Sequence, residues 1–501
     1  MCGEPHSVMR VGSGTLGQAP LARLLPGRPF TAPSDRSRPS AAVHGAAVAG
    51  AEGMDGQSFW SPCGFPAPVW THLIDQTAVA SARNCGPLTL ALPCVGIDAC
   101  CHALKQLGVS FFVKYAYDIL FYLAGPLTAL HGDIDHFHLG SFDGNLLLAD
   151  ITTWDRVDGT IAGPPCPPWS SIGKRGSWED DRSRVWWKVT DILIDQGQKG
   201  SWFFILEIVV GMDTHQAGAG GDRSRRHADT PYQEWLALFS KEAPMWEVHV
   251  WSLNTQAYLP QHRERLYTVG VNRAVGCTSP RPPPMTNASD RLGLADLLHP
   301  DIPSFHGQQL PARLRWHLFL AKAKFLMNIR AGRVPAVHGG YCMAVELDRS
   351  PDATWGVPTR YDGCTPTLRT MHRSTWVMLL SACGGVSRFL HPVEHLTLQG
   401  FPPEVSLSMT PEQIVHTAGN ACSVPVMGAV LVQVLLACPQ RDCHTGDAPS
   451  ADRSWQPSRA AKRRCLQAEI VNLQCEARAL AIETACLQRL ACLRSRQSRN
   501  E

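Results

Sequence analysis

The sequence has few of the features that mark secreted, membrane or metal-cluster proteins. Residues 1–30 contain no continuous apolar run of the kind found in secretory signals. The longest apolar stretch, about residues 426–438, is short for a membrane span of roughly 20 residues. None of the eighteen cysteines forms a CxxC pair. These absences predict a soluble protein with reduced thiols, no bound metal and no membrane partner.

Charge is also scarce. Charged residues make up 18% of the 501-residue chain, and the formal net charge is only +3. A charge this small does not by itself argue for nucleic acid as a partner, and it does not exclude one, because a basic face can be balanced elsewhere. Hydrophobic residues at 44% of the chain predict a globular protein with a sizeable core.

Both ends of the chain differ in composition from the middle. Residues 1–80 are rich in proline, glycine, serine, alanine and arginine, with few aromatic residues before Trp60, which predicts a disordered N-terminal tail. The scarcity of acids up to Ala51 leaves an organelle transit peptide as an alternative. Residues 457–495 predict a long helix that either forms a coiled coil, and so allows self-association, or packs on its own domain. Its seam steps by four and three along Leu466, Ile470, Leu473, Ala477, Leu480, Thr484, Leu487 and Ala491.

Between these ends, strand-like and helix-like segments alternate. Strands alternating with helices predict an α/β fold with a mostly parallel sheet covered on both faces. We therefore place the first part of the core in residues 85–271 and its closing part in residues 388–438. Residues 272–387 have turn clusters and few periodic runs, so we expect a separate, irregular lobe there. The strand candidates are 88–95, 110–119, 146–151, 158–163, 202–210, 245–253 and 265–271.

One cysteine, Cys166, stands between two proline pairs in the stretch GPPCPPWSSIG, residues 163–173. Prolines fix φ and remove backbone donors, so the stretch suits neither a helix interior nor a central strand. It follows a strand candidate and falls at the carboxyl edge of the predicted sheet, where open α/β sheets bind ligands. A buried inert thiol is the ordinary interpretation of a lone cysteine. A nucleophilic thiol would need a lowered pKa, which the following hydroxyls and cations are suited to provide.

Two further segments place polar side chains in apolar surroundings. Glu207 stands inside the run FFILEIVV. Burying a carboxylate is costly unless it is paired or protonated, so an acid there indicates a functional role. Gln261, Arg263 and Arg265 alternate along YLPQHRERLYTVG, and alternation along a strand puts all three side chains on one face.

In this order, the motifs resemble those of the DNA (cytosine-5) methyltransferases. The resemblance covers about residues 88–437. It implies a Rossmann-like, S-adenosylmethionine-dependent methyltransferase core with a smaller target-recognition lobe at 272–387. The matching stretches are GPPC with Ser170 and Gly173, the Glu207 strand, Gln261-x-Arg263-x-Arg265, residues 388–402 and residues 418–426.

The resemblance also implies a role for each residue. Cys166 would add through its thiolate to C6 of a cytosine, Glu207 would hydrogen-bond N3 and the exocyclic amine, and Arg265 would contact the base O2. Arg263 would brace the site through acids. The target base would have to be flipped out of the duplex, since this chemistry cannot occur in a stacked base pair. The remaining substrate-binding residues would be Pro165, Gln261 and Arg263.

The implied site for the methyl donor, S-adenosylmethionine, departs from the family pattern. The family's first motif is a glycine-rich turn of the form FxGxGG, and the corresponding stretch here is CVGIDACC. It keeps Gly96 but has Asp98 and Ala99 where glycines are expected. Because such a turn must let backbone approach a ligand, we expect these residues to weaken donor binding. Further departures are Pro167, Trp169 and Ile208, where the family usually has Gln, Phe and Asn.

Acidic residues complete the implied donor site. Asp118 would bind the ribose hydroxyls. Asp150 would contact the adenine, and we prefer it to Asp133 because it ends a strand candidate. Asn420, in the last motif, would help to shape the pocket.

An active DNA (cytosine-5) methyltransferase is therefore the function that the sequence favours. One alternative is a non-catalytic regulatory or DNA-binding relative that dimerises through its C-terminal helix, which the altered turn at Gly96 would favour. The other is an RNA (tRNA) cytosine-5 methyltransferase. The lobe at 272–387 lacks the Cys-Phe-Thr tripeptide of that branch, which favours DNA. A nuclear location follows from the function, with an organelle as the alternative.

Overall fold

The described part of the protein comprises most of the region between the two ends. In the computed structural model, the predicted tail at 1–80 and the predicted helix at 457–495 lie outside it, as does Asp133. The described residues are 87–131, 137–170, 176–214, 229–284, 292–299, 302, 309–336, 340–350, 358–370, 375–381 and 384–439.

A seven-stranded sheet forms the centre of the described region. Its strand order is β3-β2-β1-β4-β5-β7-β6. The first five strands in this order pair in parallel, and β7 runs antiparallel to both β5 and β6. The Rossmann-like α/β class predicted from the sequence is therefore confirmed. The strands are β1 (Leu88–Cys94), β2 (Phe111–Asp118), β3 (Phe137–Leu139), β4 (Gly159–Ala162), β5 (Phe203–Val209), β6 (Trp246–Asn254) and β7 (Glu264–Asn272).

The direction of strand succession reverses between β1 and β4. The chain passes from β1 outward to β2 and β3, then returns to β4 on the other side of β1. Cys94 near the end of β1 pairs with Ala162 at the end of β4, so the segments after both strands leave the same edge of the sheet. Such a switch point is where open α/β sheets form ligand crevices.

Helices cover both faces of this sheet. On one face, α1 and the last helix, α9, pack against each other and contribute to one apolar cluster with β1. On the other face, α3 and α4 contribute a second cluster rich in tryptophan. The helices of the core are α1 (Ala99–Leu107), α2 (Ala124–His131), α3 (Ser183–Gln198) and α4 (Pro231–Glu242), and after the second lobe α7 (Pro392–Thr397), α8 (Pro411–Asn420) and α9 (Val424–Ala437).

One stretch, Pro411–Ala437, is long and apolar enough to cross a membrane by length and composition. It consists of the two helices α8 and α9, separated by residues 421–423. Within its most apolar window, 78% is buried inside the protein. Its apolar side chains therefore complete the core, as expected for a core helix.

The described part of residues 272–387 is more regular than expected. It contains a second, four-stranded antiparallel sheet in the order β11-β10-β8-β9, with a 19-residue helix, α6, beside it. The boundary expected at 387/388 falls inside β11. The periodicity of α6 is hard to recognise because Trp316 and Phe319 face solvent, at 58% and 59% exposure. The elements are α5 (Leu294–Leu297), α6 (Ala312–Arg330), β8 (Gly340–Glu346), β9 (Thr359–Arg360), β10 (Thr375–Ser381) and β11 (Gly384–Phe389).

The expected strand at 146–151 was wrong. Two single turns of 3-10 helix, Leu146–Leu148 and Ile151–Thr153, occupy this part of the chain. Each turn begins where a side chain, that of Asn145 or Asp150, accepts a hydrogen bond from the backbone N–H two residues ahead. Such local bonds compete with strand pairing. Asp150 therefore begins a turn and does not end a strand.

A buried ion pair joins the second sheet to the closing part of the core. Both terminal nitrogens of Arg388 on β11 donate to the Glu394 carboxylate on α7, at 2.8 and 2.7 Å. Glu394 also accepts from the backbone N–H groups of His299 and His391. The side chains are only 3% and 0% exposed.

Replacing Arg388→Ala should lower the free energy of unfolding by about 3–5 kcal/mol, because it leaves the Glu394 carboxylate buried and unpaired. Equilibrium denaturation measures this loss. The matched control is Lys114→Ala, which breaks an ion pair with Asp155, whose side chain is 73% exposed. It should cost at most about 1 kcal/mol. Equal losses for both variants would contradict the importance of the buried pair.

Candidate active site

The loop that carries Cys166 is tightly turned and firmly anchored. It starts after β4, and the backbone N–H groups of Trp169 and Ser170 both donate to the Cys166 carbonyl at 3.0 Å. The Trp169 ring is buried and packs edge-on against Trp186, with ring centroids 5.6 Å apart. A Cβ atom on Gly211 would lie only 2.3 Å from the Trp169 carbonyl oxygen, so a glycine is required there. The loop thus holds a half-buried Cys166 at the switch-point edge.

Glu207 and Arg265 form an ion pair at the same edge. They lie on the antiparallel neighbours β5 and β7, and Arg265 Nε is 3.1 Å from Glu207 Oε1. Their side chains are only 9% and 13% exposed. A Cβ atom on Gly163, at the start of the Cys166 loop, would lie 3.7 Å from Glu207 Oε2 and from Cys422 Sγ. The structure therefore brings the Cys166 loop, Glu207 and Arg265 together.

Burial and the neighbouring charges act in opposite directions on the pKa of the Cys166 thiol. Burial raises its pKa above the ordinary value, and the Glu207 charge acts in the same direction. The Arg265 and Arg263 charges act against them. The cations expected to lower this pKa follow Cys166 within residues 171–175, which lie outside the described residues. Among the described groups, burial outweighs Arg265 and Arg263. Cys166 is therefore a neutral thiol near pH 7.

Arg263 braces the site by a different route from the one expected. It is fully buried and donates to the backbone carbonyls of Gly419 at 3.2 Å and Ala421 at 2.8 Å. Its predicted partners were acids, so that prediction was wrong. Burial lowers the pKa of Arg263 to about 10, with the Arg265 charge acting in the same direction. Arg263 thus ties the site to the segment between α8 and α9.

The sequence predicted that Gln261, Arg263 and Arg265 alternate along one strand, but the three residues do not share a strand. β7 begins only at Glu264, so the first two residues precede it. Gln261 is fully buried and its Nε2 donates to the Leu398 carbonyl at 3.4 Å. Its Oε1 is buried without a hydrogen-bond partner among the described residues. Pro165 is half-buried in the Cys166 loop.

The turn after β1 borders open space. Gly96 has a φ of +56°, and a Cβ atom built on it would meet no atom within 4 Å. The Gly96 N–H donates to Asp118 Oδ2, and the Leu120 N–H donates to Asp118 Oδ1, both at 2.9 Å. Burial raises the pKa of Asp118, and the two N–H groups oppose this rise. Asp118 thus connects the turn after β1 to the end of β2, beside room for a ligand.

Asp98 in the same turn is held inside the protein. Its Oδ1 accepts from the Cys101 N–H at 3.0 Å and from Cys100 Sγ at 2.9 Å, and its Oδ2 lies 2.6 Å from His131 Nε2. Burial alone would raise the pKa of Asp98, but these hydrogen bonds hold it at about 2. The potential metal-ligand atoms of Asp98, Cys101 and His131 lie within 4.8 Å of one another.

Asp150 is exposed and begins the 3-10 turn Ile151–Thr153. Its Oδ1 accepts from the Thr152 N–H at 3.1 Å and hydroxyl at 2.6 Å, which lowers the pKa of Asp150. Trp154, at the end of the same turn, stacks on Tyr115 with centroids 4.5 Å apart and lies 5.5 Å from the Tyr117 ring. Both tyrosines belong to β2, so the segment that follows Asp150 packs beside that strand.

Asn420 is exposed at the end of α8. Its Nδ2 is 3.5 Å from His416 Nε2, and His416 Nδ1 is 2.6 Å from the Tyr122 hydroxyl. These contacts place Asn420 beside the segment that follows β2. None of its described contacts reaches the turn at Gly96.

Comparison with known proteins identifies the family of one domain. The sequence profile described as C-5 cytosine-specific DNA methylase matches residues 96–303, a range that begins at the turn after β1 and includes Cys166, Glu207 and Arg265. Residues 96–303 therefore form a C-5 cytosine-specific DNA methylase domain, and Type II methyltransferases are among the similar proteins. The predicted resemblance is confirmed.

Two relatives show the extent of the similarity. The Type II methyltransferase M.HpaII of Haemophilus parainfluenzae is 31% identical over 144 residues, which cover 27% of this chain and 36% of the relative. The Type II methyltransferase M.NgoBI of Neisseria gonorrhoeae is 27% identical over 292 residues, or 57% of this chain and 77% of the relative. The chain thus spans about a third of the first relative and about three quarters of the second. Among solved structures, a mutant of Spodoptera frugiperda DNMT2 is 15% identical with a TM-score of 0.43, covering 70% of this chain and 99% of that chain.

Sequence reasoning did not identify the structural roles of three residues near the candidate site, Asp98, His131 and Cys422. An aspartate just before a helix is a recognisable N-cap signal, so the local role of Asp98 was within reach of sequence reasoning. His131, its partner, carries no such signal, because 33 residues separate the two. Cys422 lies beside Glu207 only because α9 folds back onto the sheet. The positions of His131 and Cys422 required the tertiary structure.

Replacing Glu207→Gln should speed alkylation of Cys166 at pH 7 by up to about tenfold, because it removes a charge that raises the pKa of the thiol. In both proteins the rate should rise with pH below the thiol pKa, by about tenfold per unit, as the thiolate fraction grows. Iodoacetamide labelling followed by mass spectrometry of the Cys166 peptide measures the rate. The opposite variant, Arg265→Gln, should slow labelling, and the half-buried Cys94 serves as an internal reference. A slower reaction in Glu207→Gln would refute the electrostatic assignment.

Proposed function

We propose that this protein is an S-adenosylmethionine-dependent methyltransferase that acts on C5 of cytosine in DNA through a covalent adduct with Cys166. The observation that carries the proposal is the Glu207–Arg265 ion pair, with Nε and Oε1 3.1 Å apart, beside the Cys166 loop. A thiol, an acid and a cation at one edge of an α/β sheet are the groups needed to activate a pyrimidine ring. The relatives described as Type II methyltransferases support the same reaction class.

Each residue has a defined part in the proposed reaction. C5 of cytosine is a weak nucleophile, so the Cys166 thiolate adds to C6, breaks the 5,6 double bond and turns C5 into an enamine-like carbon. Glu207 hydrogen-bonds N3 and the exocyclic amine and so stabilises the charge that develops on the ring. Arg265 orients Glu207 and contacts the base O2. After C5 has accepted the methyl group, loss of the C5 proton and β-elimination restore the double bond and release Cys166.

The neutral resting thiol fits a reaction that starts only when the substrate is bound. Burial and Glu207 both disfavour the thiolate, while Arg265 and Arg263 favour it. When the base engages Glu207, one of the two influences that disfavour the thiolate is removed. A cytosine can enter this half-buried site only when it is flipped out of its stack.

The residues around Gly96 fit a methyl donor. S-adenosylmethionine supplies an electrophilic methyl group when it is bound. The open space at Gly96 lets a ligand approach the backbone, Asp118 offers a carboxylate for ribose hydroxyls, and the exposed Asp150 is free to face the adenine. Asn420 lies beside the segment after β2 and is proposed to shape the rest of the donor pocket.

We propose DNA as the substrate for two reasons. The second lobe carries exposed cations, and it lacks the Cys-Phe-Thr tripeptide of the tRNA-modifying branch. On α6, the side chains of Arg313, Arg315 and Arg330 are exposed. Exposed cations next to exposed aromatic rings, here Trp316 and Phe319, are suited to phosphate and base contacts.

Incubation of the full chain with 5-fluorocytosine DNA and S-adenosylmethionine should trap a covalent complex, since fluorine at C5 blocks the elimination that frees the cysteine. Denaturing gel electrophoresis and mass spectrometry detect the complex and locate it at Cys166. The Cys166→Ser variant should form none. A matched RNA, tested in parallel, should be trapped at least about tenfold more slowly, as expected of a site that discriminates by 1.4 kcal/mol or more.

Each other result points to a different function. Faster trapping on RNA would identify an RNA methyltransferase. DNA binding without any trapping would identify a non-catalytic relative. Trapping that persists in Cys166→Ser would exclude Cys166 as the nucleophile.

A further inference from the structure

Residue 98 has a backbone conformation that is unusual for an aspartate. Its φ and ψ are 62° and 60°, in the left-handed region, and Ser177 is the other non-glycine residue with positive φ in the described part of the chain. A glycine adopts this conformation without strain, whereas residues with a Cβ atom do so at a cost. Something in the structure therefore has to hold Asp98 in this conformation.

The side chain of Asp98 supplies the stabilising contacts. Its carboxylate is 0% exposed and does not occupy the open space beside Gly96. Through Oδ1 it caps α1, accepting from the backbone N–H of Cys101. Through Oδ2 it accepts the Nε2–H of His131, in the last turn of α2. One carboxylate thus links the beginning of α1 to the end of α2, and an anion at the start of a helix is also favoured by the helix dipole.

His131 is itself held in place. Its side chain is 5% exposed and packs between two rings, with centroids 6.0 Å from Phe111 and 5.9 Å from Phe137. These contacts leave the imidazole little freedom to swing away from Asp98. The hydrogen-bond donor of His131 therefore has a fixed position from which to hold the Asp98 carboxylate.

The turn after β1 is therefore fastened at two points. At one end, the Gly96 N–H is bound by Asp118 of β2. At the other end, the Asp98 N–H donates to the Val95 carbonyl at 3.0 Å, and the Asp98 carboxylate is bound by His131. The open space adjoins Gly96, at the first of these points.

We propose that Asp98, held by His131, is a positioning residue for the methyl donor, which keeps the turn at Gly96 in its donor-binding shape. This inference rests on the proposed function. The sequence analysis expected Asp98 to weaken donor binding because it replaces a glycine. In this inference, Asp98 instead stabilises the turn that binds the donor. His131 becomes part of the donor site without touching the donor.

The decisive variant is Asp98→Gly, which restores the residue expected of the family. It should weaken S-adenosylmethionine binding at least about tenfold, since it frees the turn and leaves His131 without its partner. His131→Phe should weaken binding similarly. Asp98→Asn keeps the cap on α1 and a hydrogen bond to His131, and should stay within about threefold of the wild type.

Calorimetric titration of the full chain with S-adenosylmethionine, in buffer containing EDTA, measures these affinities. In turnover assays, the KM for the donor should rise in Asp98→Gly, whereas the KM for DNA should not. The matched control is Thr230→Gly, which removes the cap of α4 on the opposite face of the sheet. It should leave donor affinity unchanged, and thermal melting of each variant reports the loss of stability.

The results separate the inference from the proposed function. Failure of the wild type to bind the donor in the absence of EDTA would reject the proposed function, and the inference with it. Binding by Asp98→Gly as tight as that of the wild type would reject the inference alone. Loss of wild-type affinity caused by EDTA would also reject it, in favour of a metal ion held by Asp98, Cys101 and His131. If Asp98→Gly does not fold, the contrast between His131→Phe and Asp98→Asn decides, and equal affinities in these two variants would overturn the inference.

Discussion

The pairing of β4 with both of its neighbours is the constraint on which the site depends. This strand has only four residues, Gly159–Ala162, and pairs with β1 on one side and β5 on the other. Close packing requires its first residue to be a glycine, since a Cβ atom there would lie 2.2 Å from the Phe203 ring. Through β1, the pairing places the Gly96 turn at the edge where the Cys166 loop begins. Through β5, it places Glu207 beneath that loop.

The chemistry of the site arises from charges that the core would otherwise exclude. Glu207 and Arg265 are nearly buried and compensate each other, which reduces the cost of burial for both. Their charges act on the Cys166 thiol in opposite directions, so its reactivity depends on how each is engaged. Arg263 adds a third charge, whose hydrogen bonds go to the backbone of the closing segment. The nucleophile is thus coupled to elements far apart in sequence.

Much of the fold and part of the site were predictable from local pattern. The apolar run around Glu207 and the proline-rich setting of Cys166 are short-range signals, and together with the Arg265 segment they pointed to residues that the structure brings together. The strand expected at 146–151 failed because Asn145 and Asp150 bind nearby backbone N–H groups, which a hydrophobicity pattern does not reveal. The order of the second lobe was missed because the exposed rings on α6 obscure its helical period.

Strand and helix periods and short motifs depend on neighbouring residues, and for that reason the fold class, the family resemblance and the groups at the candidate site could be predicted from local pattern. How those groups are used depends on contacts formed in the folded chain. In the folded protein, Arg263 donates to backbone carbonyls and not to acids. Burial raises the pKa of Cys166 more than Arg263 and Arg265 lower it. The tertiary structure also gives Asp98 a fixed partner, His131, from another helix. Solvent exclusion and contacts between distant segments govern these outcomes, and both exist only once the chain is folded.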